Sequence, residues 1–390
     1  MKLGQAFDPR RNALNAWRLT LATGVILWHS FPLTGRHIAF EPVHQLLRDA
    51  WVDGFFAISG FLITWSWLSN PRLCTYLVAR GLRILPGLWL CLIITAFVIA
   101  PVSVAIQGGP AAKLLLSRAP LEYVLKNCAV LMAQLDVGGT PRGVLFAGNW
   151  NGSLWTLIFE VLCYIAVAVL GLVGLLNRRW FIPAALALML FWSTRLPPWY
   201  LFAENPAAPQ QHVDAAKSLA VAEASAARLF TMFFAGALLY QFRNVIPARW
   251  SLVAVCFAVV IAASALPNYR LIGAIPLAYA IIVSGTLIRH KRLRLRTDFS
   301  YGVYIYAFPV QQLLIIGGLG TVNPIVFAII AAIATFPLAA LSWFLVEKPA
   351  LSLKARLKQK SIAKSAERGP TQPVPGPDQP ELAEPHHPGQ

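Results

Sequence analysis

The chain has 390 residues, 57% of them hydrophobic and only 13% charged, with a mean hydropathy of +0.60. A soluble globular domain is about 45–50% apolar and about 25% charged, so a water-facing surface of this size is excluded. The net charge of +17 would raise nucleic acid as a partner for a soluble protein. Here basic cytoplasmic loops account for it, and no nucleic-acid binding is expected.

A helix needs about 20 mostly apolar residues to cross the hydrocarbon core. The first such stretch, 14–33, follows Lys2, Arg10 and Arg11. Arg18 interrupts it early, so a retained helix is expected rather than a removed signal. A charge at the bilayer centre costs roughly 2.5–3.5 kcal/mol on insertion scales, so Arg18 needs a partner, a wet cavity or a task. His29 is the one histidine of seven placed well inside an apolar run; His37, His44, His212, His290, His386 and His387 fall in loops or the tail. Eleven residues turn a helix about 20° past three full turns and advance it about 16 Å. Arg18 and His29 therefore share a face, with His29 nearer the outside. The bland alternative is an arginine snorkelling to the interface and a histidine satisfied by a hydroxyl.

The second stretch, 50–69, contains WVDGFFAISGFLI with Asp53 and the small residues Gly54, Ser59 and Gly60, which permit close helix packing. RGLRILP then places Arg80 and Arg83 three residues apart, neighbours on a helix face, at the start of a third stretch over 84–106. They read either as ordinary topology signals or as a phosphate site. A weaker segment near 121–135 carries Glu122, Lys126 and Asp136 and reads as interfacial or buried in a long loop. GSLWTLIFEVLCY opens the fourth stretch, 154–176, and buries Glu160 about two turns in; a carboxylate at such depth points to function. Further stretches follow over 180–196, 226–242, 250–266, 271–289, 299–318 and 325–346. The expected fold is an all-α membrane protein, a polytopic bundle of about ten transmembrane helices.

With the N-terminus inside, 22 Lys and Arg lie on the cytoplasmic side against ten outside, the latter including Arg48, Arg228 and Arg270. This is the positive-inside asymmetry, and it puts both termini in the cytoplasm. Residues 1–350 read as the membrane domain and 351–390 as a basic, then Pro-rich, disordered cytoplasmic tail. The five cysteines are scattered without metal-type spacing, so neither a metal site nor a disulfide framework is expected. No internal repeat of the transporter kind is visible.

In this order, Arg18-x10-His29, DGFFAISGFLI, Arg80-x-x-Arg83, SLWTLIFE ending at Glu160, SYGVYIYAFPVQQ (300–312) and SWFLVEKP (342–349) resemble the acyltransferase 3 family of bacterial membrane O-acyltransferases. The resemblance spans roughly 10–350. Two departures stand out: Ala307 occupies a position where many relatives have histidine, and Asn15 one where aspartate is common. A fused extracytoplasmic hydrolase domain is not expected.

The resemblance implies a multi-pass protein of the bacterial inner membrane that transfers an acyl group, acetyl in the simplest case, from cytoplasmic acyl-CoA to a glycan hydroxyl. No permanently bound cofactor is expected. His29 is the expected general base, with Glu160 or Asp53 orienting its ring. Arg18, Arg80 and Arg83 are the expected contacts of the coenzyme A phosphates, whose geometry suits the guanidinium fork. A transporter using the buried charges as a path is the competing reading; it leaves the order of the motifs unexplained.

Overall fold

The computed structural model describes residues 1–196, 215–288, 290–295 and 297–353. Among these the regular structure is helical and no strand forms. The principal helices are α1 (Leu14–Leu33), α2 (Glu41–Ser69), α3 (Leu73–Ile106), α4 (Leu154–Leu172) and α5 (Phe181–Arg195). They continue with α6 (Ala215–Gln241), α7 (Trp250–Ala263), α8 (Arg270–Leu287), α9 (Ser300–Ile316) and α10 (Pro324–Leu353). Five of the described helices, α3, α4, α6, α8 and α10, are long and apolar enough to cross a membrane. Shorter apolar helices form α5, α7 and α9. α1 and α2 have the length, at 20 and 29 residues, but Arg18, His29, Arg48, Asp49 and Asp53 lower their apolarity. The whole is a membrane-type helical protein. The tail from residue 354 lies outside the described residues.

Three helices begin earlier than the apolar pattern indicates, α6 at Ala215 rather than 226 among them. α2 starts at Glu41, with Pro42 in its first turn, where a missing N–H costs nothing. Its extra turns carry Gln45, Arg48 and Asp49, all buried, so polar residues that mark a loop by hydropathy face the bundle instead. α3 starts at Leu73 rather than 84, because Tyr76 and Ala79 already pack inward. Arg80 and Arg83 therefore lie two to three turns inside a helix, not at its start. The 121–135 segment contributes a nine-residue helix, Ala119–Asn127, to the α3–α4 connection.

Glycines set the closest packing. A Cβ on Gly60 of α2 would lie 1.9 Å from the Phe233 carbonyl oxygen of α6, and one on Gly236 of α6 would lie 1.9 Å from that of Ala57. The two backbones touch reciprocally, as small residues allow in membrane bundles. α1 and α9 run parallel: Arg18 meets Asp298 at one end, and Gln311 donates to Ser30 Oγ at 2.9 Å and to Ile26 O at 3.0 Å toward the other.

The chain just ahead of α4 descends alongside α9 without regular structure. Its polar groups find partners there. Gln312 donates to Phe146 O and Asn149 O at 2.9 Å each, Asn151 donates to Ile305 O at 2.8 Å, and Tyr304 donates to Ser153 O at 2.7 Å. Irregular backbone buried against a helix needs such partners for its polar groups.

Candidate functional site

At one end of the bundle α1, α3 and α9 converge on a single carboxylate. Arg18 Nη1 lies 3.1 Å and Arg83 Nη2 2.6 Å from Asp298 Oδ2, while Ser300 donates to Oδ1. Asp298 sits just ahead of α9. Burial raises its carboxyl, but Arg83 and then Arg18 outweigh this and hold it below the usual carboxylate range. Arg83 also lies over the Tyr301 ring, at 5.6 Å, and 3.8 Å from Glu347 Oε2. Glu347 is carried inward by a widened π-helical turn of α10 and is held by Ser342 Oγ at 2.9 Å.

Arg80 is one turn from Arg83. It lies 5.6 Å from the rings of both Tyr76 and Tyr164, and its Nη2 donates to Ser66 Oγ at 3.1 Å. Tyr164 in turn donates to Glu160. The three arginines singled out in the sequence are thus gathered at one end, where aromatic faces and shared carboxylates fix guanidinium groups that would otherwise repel.

His29 lies farther along α1. Its ring meets Phe308 of α9 edge-on, with centroids 5.1 Å apart. Phe308 is seated against Gly152, where a Cβ would come within 2.8 Å of its ring. The His29 side chain is part-exposed, yet Nδ1 is buried without a hydrogen-bond partner, so Nε2 is the nitrogen on the accessible side. From Ser300, two residues past Asp298, to Phe308 α9 rises about 12 Å, in step with the Arg18–His29 separation. Tyr301 and Tyr304 lie between these levels.

Neither expected orienting carboxylate hydrogen-bonds His29 among the described residues. Glu160 is engaged by Tyr164 beside the arginines. Asp53 is fully buried in a different cluster between α2, α6 and α8. There Arg228 Nε lies 2.9 Å from Oδ1, Arg270 Nε 2.6 Å from Oδ2, and Tyr269 also donates to Oδ2. Asp49, one turn away, takes Arg270 Nη2 at 2.8 Å, Arg48 Nε at 3.1 Å and Arg228 Nη1 at 3.4 Å. Arg48, Arg228 and Arg270 are therefore buried ion-pair partners and not the loop cations that hydropathy indicates. The signal available was the i,i+4 pairing of Asp49 with Asp53. Asp298 and Glu347 went unassigned in the sequence, because each lies at a span's edge where an acidic residue attracts no notice.

The family model described as an acyltransferase domain matches residues 11–344. The chain belongs to the acyltransferase 3 family. This acyltransferase is 27% identical over 349 residues to a protein of Shigella phage Sf6 named O-acetyl transferase, covering 87% of this chain and 96% of the relative. It is 26% identical over 378 residues to nodulation protein 10 of Rhizobium leguminosarum bv. viciae, covering 90% and 96%. No solved structure matches it.

Proposed function

We propose that this acyltransferase moves an acyl group, in the simplest case acetyl, from cytoplasmic acyl-CoA to a glycan hydroxyl at the outer side of the bacterial inner membrane. In this reading residues 1–350 form ten spans, both termini are cytoplasmic and 351–390 form a tail. The observation that carries it is the division of labour along α1: a basic cluster at one end and an imidazole with an accessible Nε2 about 16 Å away. The basic loops favour placing the arginine end inside.

Arg80 and Arg83 contact the phosphates of coenzyme A, with Arg18 beside them. Bidentate N–H···O contacts to phosphate are what a guanidinium offers and an ammonium does not. The pantetheine arm lies along the Tyr301–Tyr304–Phe308 side of α9 and brings the thioester toward His29. Coenzyme A itself then stays on the cytoplasmic side.

Neutral His29 accepts the proton of the acceptor hydroxyl at Nε2 as the oxygen attacks the thioester carbonyl carbon. A C–O bond forms, the C–S bond breaks, and the imidazolium returns the proton to the departing thiolate. The products are an ester and free coenzyme A. Asp53 has no place in this chemistry; its partners are those of a structural ion cluster. Glu160 acts through Tyr164 on the Arg80 environment.

Arg80→Lys tests the donor site. It should raise the apparent KM for acetyl-CoA about tenfold, the worth of one charge-assisted hydrogen bond, at unchanged protein abundance. Release of coenzyme A thiol from membranes reads the rate. An unchanged KM would remove Arg80 from the donor site.

A further inference from the structure

An apolar cavity of about 160 Å³ lies between α2, α4, α5 and α6, apart from both His29 and the Asp298 cluster. Val167 and Leu170 of α4, Ile182 and Met189 of α5, and Phe234 of α6 contribute to its wall. Its size compares with the ~150 Å³ apolar cavity that takes up benzene, so it holds a short run of acyl-chain methylenes. Thr64 also borders it, and its hydroxyl is buried without a hydrogen-bond partner.

One end of the cavity lies beneath the α4–α5 turn. Leu176, just after α4, and Ile182 at the start of α5 both line the cavity, and between them Arg178, Arg179 and Trp180 are exposed. Gln241 of α6 holds this turn through a 3.0 Å bond to the Arg178 carbonyl. Among the described residues neither guanidinium has an ion-pair partner. The turn lies at the arginine end of the bundle, since Gly171 packs on Trp67, which stacks on Tyr76 of α3. Outward faces of the same helices, Ile165 and Val169 of α4 and Leu188 and Phe191 of α5, are apolar and exposed, as surfaces that face acyl chains are.

Basic residues and an exposed tryptophan at a span's end are ordinary interface features. An apolar cavity ending beneath them is not. We propose that this turn and cavity form a site for one anionic phospholipid. Its phosphate is held by Arg178 and Arg179, and part of one acyl chain fills the space between α4, α5 and α6. This inference does not depend on the acyl-transfer reading.

The test is native mass spectrometry of the full chain in detergent, offered equimolar phosphatidylglycerol and phosphatidylcholine. The intact protein should retain phosphatidylglycerol roughly thirtyfold better, the attraction expected of two basic residues. The exposed double variant Arg178→Gln/Arg179→Gln should lose that preference. Ala166→Phe, which places a ring in the cavity, should retain little of either lipid, and its Tm should no longer rise with added phosphatidylglycerol as the intact protein's does. Equal retention of the two lipids by the intact protein would overturn the headgroup assignment. Undiminished retention by a folded Ala166→Phe protein would overturn the chain site. Displacement of phosphatidylglycerol by inorganic phosphate alone would make it a free-anion site instead. Should Ala166→Phe fail to fold, the double arginine variant decides.

Discussion

Two arginines from helices separated by 65 residues converge on one oxygen of Asp298. Without that carboxylate, like charges would face each other with little water between them, where the effective dielectric is low and repulsion large. Asp298→Asn should therefore splay Arg18 and Arg83 and raise the KM for acetyl-CoA more than it lowers kcat, with Asp298→Glu restoring part of the loss. An equal fall in kcat with KM untouched would place Asp298 in the chemistry instead of the binding site. Because the folded-state carboxyl is held below its ordinary range, the stability it contributes is present above that range. It is lost only as pH falls through the lowered value, so thermal unfolding scans between pH 5 and 8 should show no loss from this group. Arg18 and His29 were legible in the sequence because each interrupts an apolar run, and Arg80 and Arg83 because their spacing makes them neighbours on one helix face. Asp298 was not, since its importance arises from partners 215 and 280 residues away.

At the scale of helices, the Asp49–Asp53 stripe of α2 ties α6 and α8 to it through Arg228 and Arg270. Removing one partner of a buried ion pair costs about 3–5 kcal/mol because the other charge is left uncompensated. Asp53→Asn should accordingly lower the Tm and the yield of folded protein while leaving activity per folded molecule close to that of the intact chain. A fully folded Asp53→Asn protein without activity would return the carboxylate to the catalytic site. Hydropathy located α1 at its observed limits because 14–33 is bounded by polar residues on both sides. It misplaced the start of α2, since Arg48 and Asp49 neutralise each other inside the bundle, and a residue-by-residue scale counts paired charges as if they were solvated.

For the whole molecule, the order of elements achieves what no single motif does. α1 and α9 run parallel, so one pair of helices carries both the Arg18–Asp298 contact and the His29–Phe308 contact. The irregular chain before α4, held by Gln312, Asn151 and Tyr304, closes the side of that pair. The general plan, a helical membrane bundle with buried charges in family order, was readable from composition and motif sequence. The partner sets were not, because they depend on which helices pack together.

His29 as the base of acyl transfer is tested in membranes. Membranes with the intact protein or His29→Ala, at matched abundance, are given acetyl-CoA labelled in the acetyl group, and label entering the carbohydrate fraction is followed. Transfer by the intact protein is expected, with a fall of at least about a hundredfold in the variant, the usual contribution of a general base. Equal transfer by both proteins would contradict it, leaving an acyltransferase whose base lies elsewhere.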